Sequence, residues 1–80
     1  MTELASKEKV IGVKQSRKAI RDGRAEQVYL ACDADPAITD PVADSCKSAG
    51  IPVKTAYTMA QLGQACHITV GASVVAILKT

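Results

Sequence analysis

Stop and start signals cut this chain into short pieces, and they restrict its possible folds more than any other feature. Gly23 and Gly50 each close a stretch that reads as helix, because glycine readily takes the left-handed conformation that ends one. Asp35-Pro36 sets a capping carboxylate before a proline suited to the first helical position, and Asp40-Pro41 repeats that device for the main helix. Thr58-Met59-Ala60-Gln61 has the form of a capping box. Helices are therefore expected over residues 3–9, from Lys14 to Asp22, up to about Ala49, and from Met59 onward. Their inward residues are expected to be Leu4 and Ala5; then Ser16, Ala19 and Ile20; then Val42, Ser45, Cys46 and Ala49; then Met59, Leu62 and Cys66. Strands are expected at Val10 to Val13, Gln27 to Cys32, Pro52 to Ala56 and Ser73 to Leu78. The last of these is apolar throughout, which suits a strand covered on both faces. Strands interleaved with helices predict an α/β fold, a compact three-layer α/β/α sandwich around a mixed sheet of about four strands.

Eighty residues make one domain, 1–80, and a domain this size buries only about 60% of its unfolded surface. Cys32, Cys46 and Cys66 are odd in number, widely spaced and form no C-x-x-C pair, so neither a disulfide framework nor a zinc site is expected. They read as small apolar core residues. Met1-Thr2-Glu3-Leu4 lacks the basic and apolar regions of a signal peptide, and the uncharged run from Gly71 to Leu78 is too short to span a bilayer. A cytoplasmic protein without membrane association is expected, monomeric by default.

Charge is informative only by region. Residues 7–24 hold seven basic side chains against Glu8 and Asp22, a net +5, whereas residues 25–80 hold three against five acids, a net −2. Lys14, Arg17, Lys18 and Arg21 recur at i, i+3, i+4 and i+7, one face of a helix that starts just after Gly12. With Gln15 near its exposed first turn, such a helix offers cations, backbone N–H groups and an amide to one partner. A polarised surface of this kind steers a polyanion to one end of the molecule, and a nucleic acid fits best. A merely solvated helix face is the plainer reading of the same row.

The chain has no Phe or Trp and two isolated Tyr, so it lacks the stacking platform of sheet-surface readers and single-strand binders. Tyr29, in mid-strand, reads as core. An undistorted RNA duplex has a deep, narrow major groove closed to side chains, so a reading helix needs RNA that is already bent or widened. His67-Ile68-Thr69-Val70-Gly71 is too apolar for an ordinary turn. Either it tucks into the core or it offers an apolar contact to a partner. Two other classes remain open: a small α/β protein-interaction module using the basic helix, and a metal-assisted phosphoryl-transfer enzyme using Asp33 and Asp35 at a strand end. The enzyme reading is weakened because an aspartate before Pro36 is also what a cap requires. No P-loop, Rossmann glycine pattern or nucleophile with an evident base is present. His67 reads as a surface residue at a helix end.

Five segments in order, Gly12-Val13-Lys14-Gln15-Ser16-Arg17-Lys18, Val28 to Pro36, Ile51-Pro52-Val53, Leu62-Gly63 and Val70-Gly71-Ala72-Ser73, resemble the kink-turn-binding ribosomal protein family. That family includes the archaeal and eukaryotic seven-Ae-type large-subunit proteins, and the chain looks most like its small bacterial YbxF-type members. The resemblance spans nearly the whole sequence. It implies a non-catalytic domain without cofactor or metal, binding RNA bent sharply at an internal loop flanked by tandem G·A pairs, with ribosomal RNA or the ribosome among the candidate partners. It also implies an RNA-binding set of Gly12, Val13, Lys14, Gln15, Arg17, Lys18 and Arg21 from the helix, joined by Ile68, Thr69, Val70 and Gly71 from a loop that covers an extruded nucleotide. The chain has Lys14-Gln15 where the archaeal pattern commonly has Asn-Glu. Gln15 still offers an acceptor and a donor to guanine, and Lys14 a cation to a guanine acceptor or a phosphate.

Overall fold

The computed structural model describes residues 8–79. Strand β1 (Lys9–Ile11) leads into helix α1 (Val13–Arg21), followed by β2 (Ala25–Leu30), α2 (Pro36–Ala49), β3 (Val53–Lys54), α3 (Met59–Ala65) and β4 (Val74–Leu78). The helix expected over residues 3–9 lies outside the described residues, except that Lys9 already belongs to β1.

The sheet order is β1-β4-β2-β3. β4 runs antiparallel to both β1 and β2, while β2 and β3 are parallel across the α2 crossover, which makes the sheet mixed. Its place in the middle explains why β4 is apolar at every position. Val74 and Ala76 point to one face with Val28 and Leu30, against Ala19, Ile20, Val42 and Cys46 of α1 and α2. Val75 and Ile77 point to the other with Tyr29, against Leu62, Cys66 and Ala72 on the α3 side. A strand with both faces covered needs no polar alternation. The three-layer α/β/α sandwich read from the sequence is the observed architecture.

Local signals placed most boundaries within two or three residues. Gly23 and Gly50 sit in the left-handed region, at φ 71° and 69°. Ser16, Ala19 and Ile20 are the buried residues of α1, whose inner face is small enough to lie close on the sheet. Asp35 caps α2, its carboxylate accepting from the Ala37 N–H at 2.9 Å.

Four expectations are corrected. Asp40-Pro41 does not start a helix, because α2 runs through it unbroken with Pro41 inside. The inner stripe of α2 is narrower than its spacing implied: Val42 and Cys46 are buried, but Ser45 is half-buried and Ala49 exposed. The cause is that α2 leans on α1 more than on the sheet, so Ser45 and Ala49 line an open groove between the two helices. Cys32 is exposed, unlike buried Cys46 and Cys66, since β2 has ended and the chain has turned into a loop. The edge strand β3 keeps only two of its five expected residues.

Candidate nucleic-acid interface

Strands β1, β2 and β3 run the same way and each feeds a helix that returns, so α1, α2 and α3 all begin at one end of the sheet. Backbone hydrogen bonds tie this rim together. The Gly12 N–H donates to the Val74 carbonyl at 2.9 Å, Ala31 to Ser73 at 2.9 Å, Cys32 to Tyr57 at 2.8 Å and Ala72 to Met59 at 3.1 Å.

Helix α1 opens on this rim without a lid. Its N-cap is Gly12, at φ 103° and ψ 158°, a conformation that L side chains rarely adopt. A glycine has no side chain with which to cap, and no acidic residue follows in the first turn. The N–H of Ser16 finds the Gly12 carbonyl at 3.0 Å, but those of Val13, Lys14 and Gln15 have no acceptor among the described residues. Exposed donors at the positive end of the helix dipole suit an anion.

The cations expected on α1 are where the spacing put them. Lys14, Gln15, Arg17, Lys18 and Arg21 are all exposed, on the side away from buried Ser16, Ala19 and Ile20. Lys14, Arg17 and Lys18 form no ion pair among the described residues. Arg21 approaches Asp22 at 3.6 Å, a solvent-exposed contact worth little. The row is free to meet a polyanion, and it forms one wall of the α1–α2 groove, with Asp44, Ser45, Ser48 and Ala49 on the other. Gly12 and Val13 are half-buried, and Val13 packs against the core.

The apolar loop is part core and part surface. Ile68 is half-buried and packs on the α3-side core, whereas Val70 is 68% exposed. Thr69 and Gly71 are exposed as well. The loop runs directly into β4, whose Val74 carbonyl accepts from the Gly12 N–H at 2.9 Å, so the loop and the open end of α1 are tied to the same rim. His67 sits at φ 59° just past the end of α3, exposed, its N–H donating to the Gln64 carbonyl at 3.1 Å.

The residues behind the enzymatic alternative are committed elsewhere. Asp33 accepts from the Met59 N–H at 2.8 Å and so caps α3 across the chain, while Asp35 caps α2. Burial pushes the Cys46 and Cys66 thiols up from their ordinary range, with the Lys9 charge opposing the shift at Cys66. Thiols so shifted are poor nucleophiles. Among the described residues no three His, Cys, Asp or Glu side chains are grouped to hold a metal ion, and no helix is long and apolar enough to cross a membrane. Tyr29 is buried and pairs with Tyr57 at 5.8 Å between ring centroids, so neither ring forms an open stacking platform.

Sequence reasoning missed Asp33 as the cap of α3, because its partner lies 26 residues away. It also gave no role to Gly63 of α3, which is buried against the loop that carries Val70. A glycine inside a helix costs about 1 kcal/mol relative to alanine, and that cost was the available sign of a close approach.

A sheet flanked on both faces, with unclaimed helix donors on one rim and a cationic row running from there along α1, defines a small α/β/α domain with one markedly basic face. The chain belongs to the ribosomal protein L7Ae/L30e/S12e/Gadd45 family, whose sequence profile matches residues 2–80. It is 46% identical over 70 residues to an RNA-binding protein of Geobacillus sp. (strain WCH70), covering 88% of this chain and 85% of that one. Against the RNA-binding protein YbxF of Geobacillus stearothermophilus the identity is 44% over the same shares. The fold is similar to that of the Giardia lamblia 15.5kD RNA binding protein, with a TM-score of 0.88 at 29% identity over 99% of this chain and 67% of that one.

Proposed function

We propose that residues 1–80 form a single, non-catalytic RNA-binding domain, acting as a monomer in the cytoplasm, that recognises and stabilises kink-turn RNA. Its relatives are named as RNA-binding proteins, which supports the polymer. The observation that carries the reading is the open first turn of α1, which heads an exposed cationic face running the length of the helix.

Helix α1 enters the RNA major groove where a sharp bend has widened it, since a regular duplex would exclude it. Lys14 and Lys18 meet phosphates and guanine acceptor atoms, and the Gln15 amide reads a guanine of the tandem G·A pairs. Arg17 and Arg21 extend the phosphate contact along the helix. Val70, with Thr69 and Gly71 beside it, covers the nucleotide extruded at the bend, while Ile68 anchors the loop from within. Because these contacts exist together only on folded-over RNA, binding shifts the RNA population toward the bent form. Ribosomal RNA or a ribonucleoprotein scaffold is the class of partner that offers such a bend.

Titration of one kink-turn and of its G·A-disrupted variant, at fixed magnesium and salt, tests the reading. The intact RNA is expected to bind about tenfold tighter or more, the value of a lost bidentate base contact. Equal affinities would remove the kink-turn and leave generic RNA binding.

A further inference from the structure

The backbone of the exposed Val70 lies directly against Gly63 of α3. A Cβ built on Gly63 would stand 2.2 Å from the Val70 carbonyl oxygen, 3.1 Å from its carbon and 3.2 Å from the Gly71 Cα. The obstruction is backbone, so no side chain can swing aside to relieve it. The contact is reinforced on both sides: the Ile68 N–H donates to the Gly63 carbonyl at 3.1 Å, and the Ala72 N–H to the Met59 carbonyl at 3.1 Å. Gly71 is also tightly placed, though by a smaller margin, its own Cβ position being 3.1 Å from the Met59 Cβ. Met59 is in turn held by Asp33. The main chain of residues 68–72 is thus seated on α3, with Ile68 turned inward and Val70 left 68% exposed.

We propose that Gly63 is a positioning residue for RNA recognition: by letting the Val70 carbonyl rest directly on α3, it sets how far the Val70 side chain reaches over the rim toward α1. This rests on the reading that Val70 covers an extruded nucleotide. Helix α3 carries no charged residue. Its part in recognition is to fix the separation between an apolar lip and a cationic helix that belong to different elements. A shift of the lip by an ångström forfeits much of its van der Waals contact with a base and leaves the cations of α1 untouched.

A double-mutant cycle of Gly63→Ala and Val70→Ala, read as affinity for a kink-turn RNA at a temperature where all four proteins are folded by circular dichroism, tests this. In the wild-type background Val70→Ala is expected to weaken binding about tenfold, from the loss of two buried carbons. In the Gly63→Ala background the same change is expected to cost less than about threefold, because the lip is already displaced. The salt dependence of binding should match wild type throughout, since no cation is touched. Gly71→Ala, which crowds the same seat by a smaller margin, is expected to weaken binding less than Gly63→Ala and provides the cycle if the latter does not fold. Additive losses, or a Val70→Ala protein that binds like wild type, overturn the proposal. A wild-type protein indifferent to the G·A pairs would instead refute the kink-turn reading, and the coupling would still be read on the RNA that binds.

Discussion

Helices α1 and α3 begin on the same rim, and their first turns are finished in opposite ways. At α3 the chain supplies its own acceptors: Asp33 takes the Met59 N–H at 2.8 Å, Thr58 Oγ1 takes that of Gln61 at 3.2 Å, and the Gln61 side chain takes that of Thr58 at 2.9 Å. At α1 a glycine stands in the capping place, no carboxylate lies in the first turn, and lysine and glutamine follow. Relative to a glycine in that place, a side-chain cap contributes about a few tenths of a kcal/mol, so α1 forgoes a little stability that α3 secures. The buried side of α1 repeats the pattern, since the hydroxyl of Ser16 is fully enclosed without a hydrogen-bond partner among the described residues. The difference marks a division of labour. Donors used up inside the chain make α3 a fixed support, and donors left over make α1 the element available to a ligand.

The largest expected effect comes from removing what the open end offers. Replacing Lys14 and Lys18 together by Ala should weaken binding of a kink-turn RNA about a hundredfold, as each charged contact contributes about 1.5 kcal/mol. The log-log salt slope should fall by roughly 0.7 to 0.9 per lost phosphate contact, with the melting temperature unchanged because both side chains are exposed. An unaltered slope would mean that the row is only a solvated face. Opening the closed end is the next largest change. Asp33→Ala should destabilise the fold by about 1 to 2 kcal/mol and lower the melting temperature by roughly 4 to 8 °C per kcal/mol, with the salt slope of RNA binding retained. A melting curve that did not move would show that α3 is not held by this cap, and the contrast would collapse. The smallest effect sharpens it: Ser16→Ala should stabilise the protein by about 0.5 to 1 kcal/mol through better helix propensity and a removed buried hydroxyl. Urea unfolding at constant m-value measures that gain, and a loss instead would reveal a partner for the hydroxyl.

Much of this was legible in the residues themselves. The apolar run of β4 announced a strand covered on both faces, the capping box announced α3, and the cationic row announced the outer face of α1, because strand and helix periods are local properties of the backbone. Asp40-Pro41 shows where local chemistry stops being decisive. It carries the same signal as Asp35-Pro36, and only the surrounding packing kept one as a start and absorbed the other within α2. Ser45 and Ala49 follow the helical period of a buried stripe, yet they face a groove because α2 rests on α1. His67 has a left-handed backbone where a glycine would be expected, which its side chain does not announce.

By itself the sequence determined the alternation of elements, where most of them start and stop, the two apolar faces of the sheet, and the cationic side of α1. Each of these depends on residues within a turn or a strand of one another. Only the tertiary structure decided that three helix starts share a rim, that Asp33 closes α3, that Ile68 turns in while Val70 turns out, and that Gly63 seats the loop between them. Those outcomes depend on which backbones approach across tens of residues, and a contact of that range leaves no period in the chain to be read.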